Sequence, residues 1–459
     1  IHSFLKSIYS FYIVCFLILN CFFSTAQGSF YLKNKVSKKI KFQFTNNLIL
    51  VPLEINDVTL SFILDTGVNK PILFNLSESD SIDLKNTKTF YLHGLGAEGK
   101  IKALRSSYNK MKFGNALSVN QDLYVIFDKT INFTPRLGAT VHGIIGYDIF
   151  KDFIVEINYS SEYIRLYKQE GFKPPTSKKW EMIPVDIHKN KPYLNANVNL
   201  SNSDSNEPIK LLIDTGSSDA LWLFENMEKG LTPIKDLNFH DYLGKGLSGP
   251  VYGKRSKVSN FEFSNFSLKA VNVAFPDALS IDMDKIYKGR NGSVGGDVLK
   301  RFNLFFDYAN KKLYLKKNSY FKASFTYNNS GIVLEYNGNT FVKEEIRMPT
   351  QSRNISVENA GNNSVQIDYY INHRILLKPA YRIVEIRKSS NAYIAGLRVG
   401  DILVNLNGKP AYDYDLTAIN KILYGKTGKT LRLKIERNGV NMLFKFKLDD
   451  AFKKNEPSN

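Results

Sequence analysis

At 459 residues the chain is too long for a single hydrophobic core, and this length predicts two to four domains. Hydrophobic residues make up 43% of the chain and charged residues 23%, which excludes an intrinsically disordered polymer. The formal net charge is +19, but the lysines are scattered singly, as in "KTLRLKIERNG", and form no compact basic stripe. This pattern favours a solvated lysine-rich surface over a nucleic-acid interface, and it leaves contact with an anionic envelope surface open.

Residues 1–26 predict an export signal. Lys6 is followed by an uncharged, largely apolar stretch over residues 7–23 and then by "STA", which supplies the small residues that a signal peptidase requires. The apolar stretch is short for a bilayer span, so we expect cleavage after Ala26 and no permanent membrane anchor. Lipid attachment at Cys21 is a weaker alternative, because the residue before it departs from a bacterial lipobox.

Both cysteines of the chain, Cys15 and Cys21, lie inside this predicted signal. The mature chain therefore has no thiol, which excludes a disulfide and a cysteine nucleophile. An exported protein without disulfides is more typical of a bacterial envelope than of a eukaryotic secretory pathway. We therefore expect a periplasmic or secreted bacterial protein.

The body of the chain contains an internal repeat. The stretches "FILDTGVN" and "LLIDTGSSDALWLF" each end an apolar run on Asp-Thr-Gly, and their acids, Asp65 and Asp214, are 149 positions apart (214 − 65). Gly146 in "HGIIGYDIF" and Gly295 in "NGSVGGDVL" have the same offset (295 − 146). An acid and a glycine that keep one frame over a whole half indicate a duplication.

The same order of predicted elements recurs in each half. An alternating strand ("LILVPLEIN"; "PYLNANVNL") turns back into the acid-bearing strand, and a Gly-rich hairpin ("YLHGLGAEGK"; "YLGKGLSGPVYGK") precedes a closing strand pair. We expect two β lobes, at residues 45–172 and 173–322, joined by the linker "EGFKPPTSKK". Each Gly-rich hairpin is a candidate flap over a cleft, with a plain surface hairpin as an equal alternative.

Over roughly residues 45–320 this sequence resembles the aspartic peptidases, in which two β lobes each contribute one Asp-Thr-Gly at a psi-shaped loop. Two lobes in one chain resemble the pepsin-like enzymes, whereas the short lobes and "HGIIGYDIF" are more similar to the retroviral-type bacterial group. The resemblance implies a mainly β, two-lobed barrel fold with Asp65 and Asp214 as a catalytic dyad.

A single carboxylate beside a glycine turn can serve as a turn cap, but a symmetric pair brings two acids together at the lobe interface. Two such carboxylates share one proton, because both cannot ionise cheaply. One can then activate a water while the other protonates the scissile carbonyl, so neither a metal nor a cofactor is expected. The six histidines show no metal-ligand spacing, and the chain has no Gly-x-Ser-x-Gly elbow.

The resemblance also implies supporting roles around the dyad. Thr66 and Thr215 would hydrogen-bond across the interface, and Gly67 and Gly216 would let the backbone turn where a Cβ would crowd the water.

Further along each half, Gly146 and Gly295 would permit close passage of the backbone through the psi loop. Ser217 occupies the position of a hydroxyl that supports the catalytic carboxylate in the family. The first half departs from the pepsin pattern with Val68 at this position, and Ser293 replaces an apolar residue in the second psi loop.

The C-terminal third begins a new unit. The stretch "NAYIAGLRVGDILVNLNGKP" resembles the core of a PDZ domain, which we place at residues 323–450. The resemblance implies that the backbone N–H groups of Gly331, Ile332 and Val333 hold a peptide carboxylate and that the following strand accepts the peptide by β-addition. A PDZ-like fold used only for packing or dimer contacts is the alternative.

These patterns together predict an exported aspartic endopeptidase that acts on peptides or proteins, with a PDZ-like domain for a substrate or partner C-terminus. No nucleic-acid partner and no stable membrane span after signal cleavage are expected. The rival hypothesis is a non-catalytic peptide-binding envelope protein whose lobes serve as a scaffold; the intact pair of Asp-Thr-Gly motifs favours the enzyme.

Overall fold

The computed structural model describes residues 28–76, 81–93, 100–200, 206–281, 286–349 and 369–452. The predicted signal and the tip of the first Gly-rich hairpin, at residues 94–99, lie outside the described residues. The described part divides into two compact units, one within residues 1–132 and 141–325 and the other within residues 133–140 and 326–459. In the described part of the chain, no helix combines the length and the apolar character that a bilayer crossing requires.

The first half consists almost entirely of strands with two short helices. The strands are β1 (Ile40–Lys41), β2 (Gln43–Thr45), β3 (Leu48–Ile55), β4 (Val58–Leu64), β5 (Ile72–Leu73), β6 (Lys88–His93), β7 (Lys100–Phe113), β8 (Ala116–Val125), β9 (Gly143–Ile145), β10 (Ile154–Asn158) and β11 (Tyr163–Tyr167). The helices are α1 (Thr134–Leu137) and α2 (Tyr147–Phe150).

Local sequence accounts for the central pair of this half. Asn56 and Asp57 have φ angles of 46° and 70°, the left-handed conformation that a two-residue hairpin between β3 and β4 requires. Strand β9, "GII", is buried along its whole length and pairs in parallel with β4, as expected for a strand covered on both faces.

The second half repeats these elements. The strands are β12 (Glu181–Pro184), β13 (Asp186–His188), β14 (Lys191–Asn199), β15 (Glu207–Ile213), β16 (Leu221–Leu223), β17 (Phe239–Gly246), β18 (Gly249–Phe263), β19 (Phe266–Pro276), β20 (Gly292–Val294), β21 (Phe302–Asp307) and β22 (Lys312–Lys317). They are accompanied by the helix α3 (Gly296–Leu299) and a 3-10 turn at Ala278–Ser280.

The duplication extends to the hydrogen-bonded order of the strands. The first sheet runs β2-β3-β4-β9-β5-β8-β7-β6 and the second runs β13-β14-β15-β20-β16-β19-β18-β17, so every strand has its counterpart at the same place. The parallel pairing of Leu64 with Ile145 recurs, 149 positions later, as Ile213 with Val294. The prediction of a mainly β chain with two similar lobes is confirmed.

A third sheet joins the two lobes. Its order, β1-β11-β10-β21-β22-β12, takes half of its strands from each lobe, and β10 pairs with β21 at its centre. Phe150 of the first lobe packs against Phe306 of the second, with ring centroids 5.2 Å apart. Because one continuous hydrophobic core includes residues of both lobes, their interface is fixed by packing.

The other compact unit contains the C-terminal residues. Its strands are β23 (Ile332–Pro349), β24 (Tyr369–Ile386), β25 (Ile402–Leu406), β26 (Lys409–Pro410), β27 (Thr430–Arg437) and β28 (Val440–Lys447), with the helices α4 (Asn391–Ile394) and α5 (Leu416–Leu423) and a 3-10 turn at Ala411–Asp413. The main sheet order is β23-β24-β25-β27-β28, with β26 paired to β25, and α5 buries Leu416, Ile419 and Leu423 in a separate core.

Residues 133–140, which the sequence places inside the first lobe, group with this second unit. Within the unit, Arg136 forms an ion pair with Glu385 at 3.6 Å. A Cβ built on Gly138 would lie 2.8 Å from the Cβ of Leu416, so this segment packs directly against the start of α5. The local sequence does not predict these long-range contacts.

Candidate active site

Asp65 and Asp214 occupy equivalent places at the ends of the central strands β4 and β15. The amide of Asp65 donates to the carbonyl of Ile145 at 2.8 Å, and the amide of Asp214 donates to the carbonyl of Val294 at 2.9 Å. Each acid is therefore the last residue of its strand whose amide is hydrogen-bonded to the parallel neighbouring strand. Its carboxylate leaves the sheet where the chain begins to turn.

The turn after each acid fixes the carboxylate. The amide of Gly67 donates to Oδ1 of Asp65 at 2.6 Å, and the amide of Gly216 donates to Oδ1 of Asp214 at 3.0 Å. A Cβ on Gly216 would lie 2.3 Å from Cγ of Asp65, and one on Gly67 would lie 3.6 Å from Oδ1 of Asp214. Each glycine therefore faces the carboxylate of the opposite lobe, and the two carboxyl groups are hydrogen-bonded to each other.

The two threonines cross between the lobes. The amide of Thr66 donates to Oγ1 of Thr215 at 3.0 Å, and the amide of Thr215 donates to Oγ1 of Thr66 at 3.1 Å. The hydroxyl of Thr66 donates to the carbonyl of Ile213 at 2.6 Å, and that of Thr215 donates to the carbonyl of Leu64 at 2.7 Å. Both side chains are fully buried, so this reciprocal network holds the two acid-bearing turns in one geometry.

The predicted psi-loop glycines pass close to the backbone of these turns. A Cβ on Gly146 would lie 1.9 Å from the carbonyl oxygen of Asp65, and one on Gly295 would lie 2.4 Å from the carbonyl oxygen of Asp219. At both positions even a methyl group would collide with main chain, which cannot move aside cheaply.

Sequence comparison assigns two domains. Residues 51–149 match the family model described as "Aspartyl protease", and residues 382–437 match that described as "PDZ domain". The chain carries an aspartyl protease domain and a PDZ domain. The predicted resemblance to aspartic peptidases with a C-terminal PDZ domain is thereby confirmed. The first match includes Asp65 and Gly146, while the second lobe is linked to it by the sequence repeat and the shared strand order.

Among solved structures, the chain is similar to the "Crystal structure of aspartic proteinase from Irpex lacteus", with 14% sequence identity and a TM-score of 0.40. The similarity covers 62% of this chain and 98% of that one. No curated protein sequence matches the chain significantly.

The electrostatics of the aspartyl protease dyad are those of a buried acid pair. Burial, and then the neighbouring carboxylate of Asp214, raise the pKa of Asp65 from its ordinary value to about 7. Burial also raises the pKa of Asp214, but the cations Arg290 and Lys191 act against this rise. Because Asp214 has more cationic neighbours than Asp65, its ionised form is favoured, and the shared proton belongs mainly to Asp65.

Lys191 and Arg290 were not identified from the sequence. Lys191 begins β14 directly after a two-residue turn, and burial lowers its pKa, while the charge of Asp65 raises it. The guanidinium of Arg290 lies 5.3 Å from the ring centroid of Phe224, and its Nε donates to the carbonyl of Gly292 at 2.8 Å. Within the described ranges, neither cation has a carboxylate within 4.0 Å.

The repeat offered one signal for Arg290. In the shared frame its counterpart is Val141 (290 − 149), which is fully buried in the first lobe. A charged residue at the position of a buried apolar one is the kind of difference that marks a functional site in a duplicated protein. Lys191 shows a comparable difference only through the strand register, in which Tyr193 pairs with Leu212 as Leu50 pairs with Ile63, so that Lys191 corresponds to the buried Leu48.

Ser217 departs from its predicted role. Its hydroxyl lies next to Gly295, whose added Cβ would be 2.9 Å away from it, and in the described part of the chain no hydrogen bond joins this hydroxyl to Asp65 or Asp214. The carbonyl of Ser217 accepts from the amide of Gly296 at 2.7 Å, which holds the residue on the psi-loop side of the turn.

In the PDZ domain, side chains of the loop that contains Gly331 accept hydrogen bonds from the backbone amides of the same loop. The amides of Ser330 and Gly331 both donate to Oδ1 of Asn328 at 3.1 Å, and the amide of Ile332 donates to Oγ of Ser330 at 3.1 Å. Val333 pairs with Glu385 in the sheet. In this conformation a peptide carboxylate has to displace the Asn328 side chain before it can bind these N–H groups.

Proposed function

We propose that this protein is an exported aspartic endopeptidase whose PDZ domain binds an extended peptide segment of the substrate or of a partner. The observation that carries the catalytic part is the reciprocal bonding of Thr66 and Thr215, which places two half-buried carboxyl groups in contact. Evolution of a mere scaffold has no need to keep two acids in so costly an arrangement, because burial and like charge both oppose ionisation.

The chemistry follows from the unequal surroundings of the acids. Asp214, beside Arg290 and Lys191, is the ionised member and takes a proton from a water that lies between the carboxyl groups. Asp65, with its raised pKa, donates its proton to the carbonyl oxygen of the scissile peptide as the water oxygen attacks the carbonyl carbon. The tetrahedral intermediate collapses when Asp214 returns the proton to the leaving nitrogen, and Asp65 is reprotonated by the hydroxyl of the intermediate.

Peptide cleavage by the purified chain without residues 1–26 tests the dyad. We expect Asp65→Asn and Asp214→Asn each to lower kcat by at least about 1,000-fold, since each removes one half of the acid–base pair. The matched control is Asp152→Asn, a half-buried acid whose carboxylate accepts from the amide of Phe30 and from the side chain of Ser29 and whose loss should leave kcat unchanged. Robust cleavage by either dyad variant would exclude the mechanism, and binding of peptides without any cleavage would favour the scaffold hypothesis.

The proposed export is supported by Lys6, the apolar stretch after it and "STA". N-terminal sequencing of the protein from an envelope fraction tests it, with Gln27 as the expected first residue. A chain that retains residue 1 and stays in the membrane would indicate an uncleaved anchor.

The proposed role of the PDZ domain is to hold a protein substrate near the cleft, since tethering raises the local concentration of a bound chain. Removal of residue 323 onward is expected to slow hydrolysis of a protein substrate while leaving short peptides nearly unaffected. Equal loss on both substrates would indicate that the domain only stabilises the lobes.

A further inference from the structure

A cluster of three side chains lies at the root of the hairpin formed by β17 and β18. The guanidinium of Arg255, on β18, forms an ion pair with Oδ2 of Asp219 at 2.7 Å and donates to the carbonyl of Leu243, on β17, at 3.1 Å. The indole nitrogen of Trp222 donates to the same Oδ2 at 2.5 Å. Arg255 is only 6% exposed, so this pair is shielded from the solvent that weakens surface ion pairs.

Asp219 belongs to the turn that carries the dyad. It follows Asp214 by five residues, its carbonyl accepts from the amide of Asp297 at 3.3 Å, and it lies against Gly295 of the psi loop. Its backbone is therefore held against the same psi loop whose Val294 carbonyl accepts from the amide of Asp214. Through Asp219, Arg255 connects the hairpin directly to the dyad turn.

The underside of the hairpin is apolar where it meets this turn. Leu243 and Val251, from the two strands of the hairpin, form a small buried cluster with Ala274, and Trp222 packs against it. The indole thus contributes its N–H to Asp219 and its ring to the hairpin. Both contacts orient the hairpin over the same turn.

The far end of the hairpin reaches the first lobe. Lys245, next to the hairpin tip, donates a hydrogen bond to the carbonyl of Thr130 and lies near enough to Asp128 to interact with its carboxylate. Thr130 follows β8 of the first lobe, whereas the hairpin root is in the second lobe. The hairpin therefore crosses the groove between the lobes, and the dyad lies where the lobes meet.

The described residues of the first lobe form a different connection at this place. The counterpart of Asp219 in the repeat is a cation, Lys70 (219 − 149). The frame shifts by one residue within the hairpin, because β7 ends at Phe113 and β18 at Phe263, so Arg255 corresponds to Arg105 (255 − 150) and Ser256 to Ser106. The hydroxyl of Ser106 donates to the carbonyl of Lys85 at 2.7 Å. Arg105 forms its ion pair with Asp122 of β8 at 2.8 Å, and Lys70 of the first dyad turn interacts with the charge of Asp122 without an ion pair to the hairpin.

We propose that the β17–β18 hairpin is the lid of the cleft and that Arg255 and Asp219 are positioning residues that hold it over a bound peptide. The inference rests on the proposed peptidase function. A lid that covers the peptide excludes bulk water and orders the substrate backbone, so its release weakens substrate binding more than it weakens the chemistry of the dyad.

The first test is a separation of KM from kcat. We expect Arg255→Leu and Asp219→Asn each to raise KM by about tenfold with kcat within about threefold of wild type, because the Thr66–Thr215 bonds still hold the dyad. The double variant should lose no more than either single variant, since both break one pair. Arg255→Lys, which keeps the charge, should recover part of the loss.

The control for this series is Arg105→Leu, which breaks the ion pair between β7 and β8 of the first lobe and should leave KM unchanged. A fall in kcat alone, or an equal rise in KM in the control, would overturn the assignment of Arg255 and Asp219 as lid-positioning residues.

A second test does not depend on those residues. Because Cys15 and Cys21 are the only cysteines and both precede residue 27, the exported chain allows a unique engineered pair, Lys245→Cys with Thr130→Cys. Bridging the two with a short bis-maleimide fixes the tip to the first lobe. We expect the bridged protein to lose at least about 90% of its hydrolysis of a denatured protein, while each single variant treated in the same way retains it.

Full hydrolysis by the bridged protein would exclude the β17–β18 hairpin as the lid. If the wild type itself cleaves nothing, the proposed function fails separately. The lid is then tested by the binding of a peptide in which a hydroxyl-bearing carbon replaces the scissile carbonyl: bridging should lower the rate of association by at least about tenfold, and an unchanged rate would overturn it.

Discussion

The two lobes of the protease domain share one scaffold but differ in the charges and contacts around the cleft. Their eight-stranded sheets have the same order, and their threonines make the same bonds to each other. Among the described residues, the cations that act on the dyad, Lys191 and Arg290, come from the second lobe, and Arg255 joins the hairpin of that lobe to the dyad turn.

The contacts that hold the dyad are made by both lobes, whereas the contacts around a bound peptide differ between the lobes. The geometry of two carboxylates in contact is symmetric, so both lobes must supply it equally. A peptide that lies across the cleft is directional, so the groups that bias the proton and cover the substrate can come from one lobe alone. Variants made in matched positions of the two lobes test this division.

The largest difference is expected between the glycines that follow the acids. Gly216→Ala places a methyl group 2.3 Å from Cγ of Asp65 and should lower kcat/KM by at least about 100-fold, because the carboxylate must leave its position. Gly67→Ala places its methyl group 3.0 Å from Oδ1 of Asp65 and 3.6 Å from Oδ1 of Asp214, which a shift of a few tenths of an ångström relieves, and should cost about tenfold. Equal losses, measured with one peptide under identical conditions, would contradict the asymmetric packing of the dyad.

The threonines should behave alike. Thr66→Val and Thr215→Val each leave a buried amide and a buried carbonyl of the other lobe unpaired, and each should lower the free energy of unfolding of the protease domain by about 2–4 kcal/mol. Urea titration measures the loss, with Thr45→Val as a control, since that buried threonine of β2 makes no bond between the lobes. A large difference between the two variants would show that the bonds are not equivalent.

A smaller effect is expected in the pH profile. Hydrolysis requires one proton on the dyad, so the rate should fall as pH rises through the pKa of Asp65, about 7. Replacement of Lys191 by Met removes a positive charge that lowers the pKa of both acids, so both limbs of the profile should move to higher pH. Arg290→Met should move mainly the acid limb, since its charge acts on Asp214. A pH profile unchanged in both variants would show that Lys191 and Arg290 do not affect the pKa values of the dyad.

The stability of the folded protein should also depend on pH through Asp65. Folded Asp65 holds its proton up to pH about 7, whereas an unfolded aspartate releases it near its ordinary pKa of 3.8. The contribution of this group is therefore fully present below the unfolded pKa and is lost as pH rises towards 7. Asp65→Asn, which cannot ionise, should unfold at a higher temperature than wild type at pH 8 and lose this advantage at pH 4, as calorimetry can measure.

Much of the protease fold could be predicted from the chain itself. The strands around Asp65 and Asp214, the 149-residue frame and the glycines of the psi loops follow from periodicity and from turns that require small residues. The sequence could not predict that residues 133–140 pack within the unit that contains the PDZ domain. This packing depends on contacts with Glu385 and Leu416, which are far along the chain.

The structure brings Asp65 to Asp214 and Thr66 to Thr215 and adds the side chains that surround them, which the sequence analysis did not specify. Sequence placed Ser217 beside the carboxylate, but its carbonyl bond to Gly296 keeps the hydroxyl near the psi loop. Sequence also assigned free amides to Gly331 and Ile332, whereas the side chains of Asn328 and Ser330 already accept from them. Both differences arise from side-chain hydrogen bonds, which a pattern of residue types does not specify.

The sequence by itself determined the duplication, the pair of acids and the threonines and glycines next to them, because each of these is required locally and therefore recurs in both halves. Only the tertiary structure decided that Arg290 and Lys191 lie beside Asp214 and that Arg255 meets Asp219. The physical reason is that electrostatic and lid contacts act through space between segments tens of residues apart, and a single sequence records neither their distance nor their burial.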